Sequence, residues 1–100
     1  MDITGKEIRQ LRAMANTLKP AIIVGKQGVS QSVIAQVNDA LEAHELIKIN
    51  VLCENGSEAA STGRELASET NATLVQVIGK RVVLYRETSR DDVEKIQFKS

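Results

Sequence analysis

One hundred residues is the length of a single small domain, and 42% hydrophobic with 26% charged side chains excludes a chain that is disordered throughout. Thirteen basic and thirteen acidic side chains cancel to zero, so no overall positive field marks the chain as a nucleic-acid binder. The lone Cys53 excludes an internal disulfide, no apolar run approaches the ~20 residues of a bilayer span, and the charged start MDITGKEIRQL does not read as a secretory signal, so a cytoplasmic protein without membrane partners is expected.

Along the chain, Thr4 is a helix cap, and Ile8, Leu11, Met14, Ala15 and Leu18 recur at helical spacing to about Thr17. Lys6, Arg9 and Arg12, three apart, share one side of that helix. Pro20 stops it and leads into AIIV, residues 21–24, a short β-branched strand. GKQG, residues 25–28, then turns the chain. Ser30 caps a second helix whose stripe is Val33, Ile34, Val37, Ala40 and Leu41, ending near His44.

IKINVL, residues 47–52, alternates, which predicts a strand with Ile47, Ile49 and Val51 inward and a partly solvated face carrying Lys48 and Asn50. NGS, residues 55–57, turns into a third helix running to about Thr70, with Ala60, Gly63, Leu66 and Ala67 inward. TLVQVI and RVVLYR are strands joined by Gly79 and Lys80, a tight hairpin. Residues 1–87 read as one domain and 88–100 as a polar tail, with Asp91 and Asp92 solvated.

The order αβαβαββ predicts an α/β fold of two layers with a mixed four-stranded sheet. Strands separated by helices pair in parallel through right-handed crossovers, so the first three should share a direction and the fourth oppose them. GKQG follows the first strand and GKR, residues 79–81, follows the third. Lys26, Lys80 and Arg81 should therefore share the rim where open α/β sheets bind ligands.

Charge is also segregated: residues 1–38 carry +3, residues 39–69 carry −5 and residues 70–90 carry +3. Such a dipole suits a polyanion on one side. Gly25 and Gly28 around Lys26 and Gln27 allow close approach of a phosphate, with the next helix start adding positive potential, although the same pattern serves as a plain turn. Lys6, Arg9, Arg12 and Lys19 would make a phosphate-contacting stripe, or only a solvated face. Glu58, Glu65 and Glu69 on the third helix form a surface RNA should avoid. His44 at a helix end and Cys53 at a strand end read as structural. No metal cluster, cofactor motif or nucleophile with its base is evident, so a phosphoryl-handling enzyme built on GKQG is disfavoured. With Tyr85 and Phe98 the only aromatics, stacking on rings cannot be the main binding mode.

Three stretches, LKPAIIVGKQGVS at 18–30, ALEAHELIKINV at 40–51 and VQVIGKRVVLYR at 75–86, together resemble the CRM domain, the chloroplast RNA splicing and ribosome maturation domain, in its stand-alone bacterial YhbY-type form. The resemblance spans about residues 3–87. It implies a fold similar to the C-terminal domain of translation initiation factor three, with a KH-like Gly-x-x-Gly loop at Gly25, Lys26, Gln27 and Gly28. The LKP motif is expected to place Lys19 beside that loop. The chain differs in being neutral, where such domains are often basic, and in Glu87 where a proline is common. The resemblance further implies an RNA-binding protein associated with ribosomal RNA or large-subunit precursors; from the residues, a monomer that is not an enzyme and has no cofactor or metal is expected. A module that docks on a ribosomal or assembly protein through its acidic helix or open sheet face is the alternative.

Overall fold

The structure, a computed structural model, describes residues 3–98. α1 (Gly5–Ala15) begins at Thr4, whose hydroxyl accepts the Glu7 N–H at 3.2 Å while Glu7 Oε1 accepts the Thr4 N–H at 3.1 Å. Two donors orphaned by the helix start are thereby satisfied reciprocally. β1 (Pro20–Val24) leads through the glycine loop to α2 (Gln31–His44), where Ser30 Oγ accepts the Val33 N–H at 3.2 Å. β2 (Leu46–Val51) follows, then α3 (Gly56–Thr70), capped by Asn55 Oδ1 on the Glu58 N–H at 3.0 Å. β3 (Thr73–Ile78) and β4 (Arg81–Tyr85) form the hairpin, and Gly79 supplies its positive φ of 57°.

The sheet order is β1-β2-β4-β3, with β1 parallel to β2 and β4 antiparallel to both its neighbours. The first three strands thus run one way and the fourth opposes them, as the connections imply.

The number of layers differs from the two expected. α2 and α3 cover one face over Val37, Leu41, Ile47, Ile49, Leu66, Val82 and Leu84. α1 covers the other over Leu11, Ala15, Leu46, Val75, Val83 and Tyr85. The reason lies in the two central strands, β2 and β4, which carry apolar residues in both alternating registers and so need cover on both sides. The partly solvated face expected for β2 is accordingly reduced to the half-buried Asn50, and Lys48 is only 7% exposed.

Residues beyond β4 pack onto the domain. Glu45, fully buried with a φ of 64°, accepts the Thr88 N–H at 2.8 Å and the Ile96 N–H at 2.6 Å on its two carboxylate oxygens. Phe98 meets Tyr85 edge to face with centroids 5.7 Å apart. Burial, and after it the charges of Glu45, Glu87 and Glu7, push the Tyr85 phenol up to about 12. The Ser89 hydroxyl and amide, followed by Arg86, hold Glu42 below its ordinary value. Arg86 also bridges the two helices of its face, donating to Asn38 Oδ1 at 2.7 Å and to the Thr70 carbonyl at 2.6 Å.

α3 approaches the sheet at Gly63, where a Cβ would lie 2.9 Å from Val82 Cγ1 and 3.1 Å from Leu74 Cδ1. Gly63→Val should overpack this contact and cost about 1–3 kcal/mol. Thermal denaturation should then show a lower midpoint with the far-UV spectrum preserved below it.

Candidate nucleic-acid interface

β1, β2 and β3 end at one rim, and main-chain hydrogen bonds lace it together. Leu52 N–H donates to the Val24 carbonyl at 2.9 Å, and Val51 N–H donates to the Lys80 carbonyl at 2.8 Å. The loop after β1 and the hairpin after β3 therefore flank the end of β2. With strands about 4.8 Å apart, β4 lies roughly 10 Å from β1, and β3 roughly 14 Å. Lys26, Lys80 and Arg81 are all exposed on this edge.

The glycine loop is a tight turn in which the Gly28 N–H donates to the Gly25 carbonyl at 3.0 Å. Gly28 has a φ of 79°, a conformation that glycine adopts without strain. Space around both glycines is open, with no atom within 4 Å of a Cβ built on either. Among the described residues, the Lys26 and Gln27 amides donate to no group in the chain. α2 starts three residues after Gly28 and has no acid in its first turn, whereas α1 has Glu7 and α3 has Glu58 there. Its positive end is left uncompensated beside the loop.

The rim also carries acids. Gly56 sits against Gly79, a Cβ on it lying 3.2 Å from the Gly79 carbonyl oxygen, which draws the start of α3 to the hairpin. A recess of about 180 Å³ is consequently lined by Lys26, Leu52, Cys53, Glu54 and Glu58. One Glu58 oxygen accepts the Glu54 N–H at 3.1 Å, so part of its charge serves the helix start. Cys53 is half-buried with its sulfur 3.2 Å from the Asn55 carbonyl oxygen, in keeping with a structural role. Among the described residues, no ion pair joins Lys26 to either acid.

Other basic residues are placed apart from the loop. Lys19 precedes β1 while the loop follows it, so a five-residue strand of roughly 17 Å separates them, contrary to the expectation from the LKP motif. Lys19 instead lines a cavity with His44 and Lys48. Lys6 and Arg9 are exposed on α1, which packs chiefly on β2, β3 and β4. Arg12 Nε donates at 3.3 Å to the Val75 carbonyl, at the bulge where the β3–β4 register slips.

One feature escaped the sequence reading. Ile23 pairs with Asn50, Asn50 with Arg81, and Arg81 with Ile78, forming a row across all four strands on the α1 side just below the rim. Its ends are open, with Ile23 62% and Ile78 44% exposed. The signal was present in the alternation of β1 and β2, but only the strand order could line the four residues up.

The CRS1 / YhbY (CRM) domain matches residues 3–86, and the matched span contains both the loop and the hairpin. The chain belongs to this family. This CRM domain is 40% identical over 89 residues to the Probable RNA-binding protein YqeI of Bacillus subtilis, covering 89% of this chain and 93% of that one. It is 30% identical to an RNA-binding protein of Haemophilus influenzae, covering 92% and 93%. The solution structure of the hypothetical protein SAV1595 of Staphylococcus aureus, itself a candidate RNA-binding protein, has the same fold. Its TM-score is 0.80 at 38% identity, over 95% of this chain and 100% of that one.

The loop geometry separates its two glycines. Gly28→Ala must force a side chain into left-handed backbone and should cost about 1–2 kcal/mol. Gly25→Ala, with no positive φ and open space, should leave the unfolding midpoint close to wild type, as chemical denaturation can measure.

Proposed function

We propose that this CRM domain is a non-enzymatic, cytoplasmic RNA-binding protein acting as a monomer, and that it binds ribosomal RNA during assembly of the large subunit. The observation that carries this reading is the open Gly25–Gly28 turn. Its Lys26 and Gln27 amides and the Lys26 ammonium are unengaged, and it lies beside a helix start that no acid neutralises. Such a turn offers main-chain donors and a mobile charge to a phosphate without side chains in the way.

Lys80 and Arg81 extend the positive edge to the far side of the sheet, and Lys6 and Arg9 on α1 add longer-range attraction. Glu54 and Glu58 temper the affinity and restrict how an RNA backbone can cross the loop. The names of the relatives support RNA as the partner, and the implied ribosomal role comes from the family resemblance. Among the described residues no group of three or more His, Cys, Asp or Glu could hold a metal ion. No helix among them is long and apolar enough to cross a membrane.

Binding to large-subunit ribosomal RNA fragments across a salt series tests the proposal. A Lys26→Asp, Gln27→Asp double variant that keeps its circular dichroism spectrum should lose most of the salt-sensitive affinity. Each lost phosphate contact should flatten the log–log salt slope by about 0.7 to 0.9. Equal binding by variant and wild type would return the loop to a plain turn and direct attention to a protein partner on the acidic face.

A further inference from the structure

We propose that the cavity between α1, β1 and β2 is a second phosphate subsite, occupied by the backbone of the same single-stranded RNA that the glycine loop grips. The inference rests on the loop being such a grip. The cavity measures about 550 Å³ and lies at the start of β1 and β2, the end of the sheet opposite the loop. Its walls are mostly aliphatic, with Met14, Leu18 and Ile96 among them, and its polar side chains include Lys19, His44 and Lys48.

Lys48 is the unusual member. It is 7% exposed, yet its ammonium has no ion pair and no hydrogen bond among the described residues. Ile47 and Ile49 belong to the core under α2 and α3, so alternation turns Lys48 to the α1 side, where the cavity is. The Lys48 stem is buried, but its ammonium is not among the buried side-chain atoms that lack a partner, so it opens to the cavity, where an anion can meet it. No Asp or Glu lines the cavity. Glu45, which follows His44, already accepts the Thr88 and Ile96 amides on its two oxygens.

Lys19 is exposed and adds a second full charge, and His44 can donate a hydrogen bond in either protonation state. The end of α2 opposes an anion with about half a negative charge, less than two ammonium groups supply.

The same face connects this cavity to the loop. Ala21 lines the cavity, and two residues further along β1 stands Ile23, 62% exposed. On β2, Lys48 is followed two residues on by Asn50, the register partner of Ile23. Between Lys26 and Lys19 there is thus a column roughly 17 Å long with a cation at each end and Ile23 beside Asn50 in the middle. An unpaired RNA strand leaving the loop can rest a base on Ile23 and offer its edge to the Asn50 amide. Its next phosphates then reach Lys48 and Lys19. Duplex RNA, whose bases are paired and stacked, cannot use the middle of this column.

The test measures binding of an unstructured nonanucleotide RNA across a salt series to wild type, Lys48→Met, Lys19→Gln and the loop double variant. Circular dichroism monitors folding. Lys48→Met and Lys19→Gln should each weaken binding several-fold and flatten the salt slope by about 0.7. Lys19→Gln, at an exposed position, carries the test if Lys48→Met does not fold. If the loop variant loses binding while these two match wild type, the subsite is overturned and the loop reading stands. If the loop variant matches wild type, the loop reading fails, and the connecting track with it. Inorganic phosphate supplies the remaining arm: if it competes at Lys48 and Lys19 as well as the RNA does, the cavity is a free-anion site and its assignment to an RNA strand is overturned.

Discussion

Two main-chain hydrogen bonds at the end of β2, from Leu52 to Val24 and from Val51 to Lys80, hold the candidate interface together. They tie the end of β2 to the last residue of β1 on one side and to the β3–β4 hairpin on the other. The right-handed crossovers through α2 and α3 bring those ends to a common rim, but the hydrogen bonds fix their spacing. Lys26, Lys80 and Arg81 share this edge through the β1–β2 and β2–β4 pairings, which the two bonds continue to the rim. The same bonds extend β2 into Leu52 and Cys53, which form the floor of the small recess beside Lys26.

The net charge of zero is uninformative because the charges are sorted in space. Most acids fall on α3 or serve structural purposes: Glu7 and Glu58 cap helices, Glu45 and Glu42 receive the residues after β4, and Asp92 pairs with Arg90 at 2.7 Å. Lys26, Lys80, Lys19 and Lys48 have no such ion pair among the described residues. A chain can thus be electrically balanced and still present free cations along one edge and one face. The two glutamates beside Lys26 are the exception, and they make the loop more selective about the path of a polyanion.

The elements were legible in the sequence because each has a local cause. Thr4, Ser30 and Asn55 start the helices, Pro20 and the paired glycines punctuate the strands, and Gly79 closes the hairpin. The common strand direction followed from connectivity alone. What could not be read was placement between distant segments. Lys48 on an alternating strand looks solvent-facing until α1 is known to cover that side, and Lys19 looks close to the loop until the length of β1 is taken into account. Likewise Thr88, Ile96 and Phe98 look like a solvated tail, because the groups that receive them, Glu45 and Tyr85, are more than a dozen residues away. The row of Ile23, Asn50, Arg81 and Ile78 exists only once β4 is inserted between β2 and β3.

Backbone amide chemical shifts, followed as single-stranded RNA is added to the labelled domain, test most directly whether the laced rim is where RNA sits. Shifts concentrated on Gly25–Gly28, the first turn of α2, Ile23, Asn50 and the Lys80–Arg81 turn are the expected result. Shifts concentrated instead on the exposed face of α3 around Ser61, Glu65 and Ser68, with the glycine loop unmoved, would contradict it.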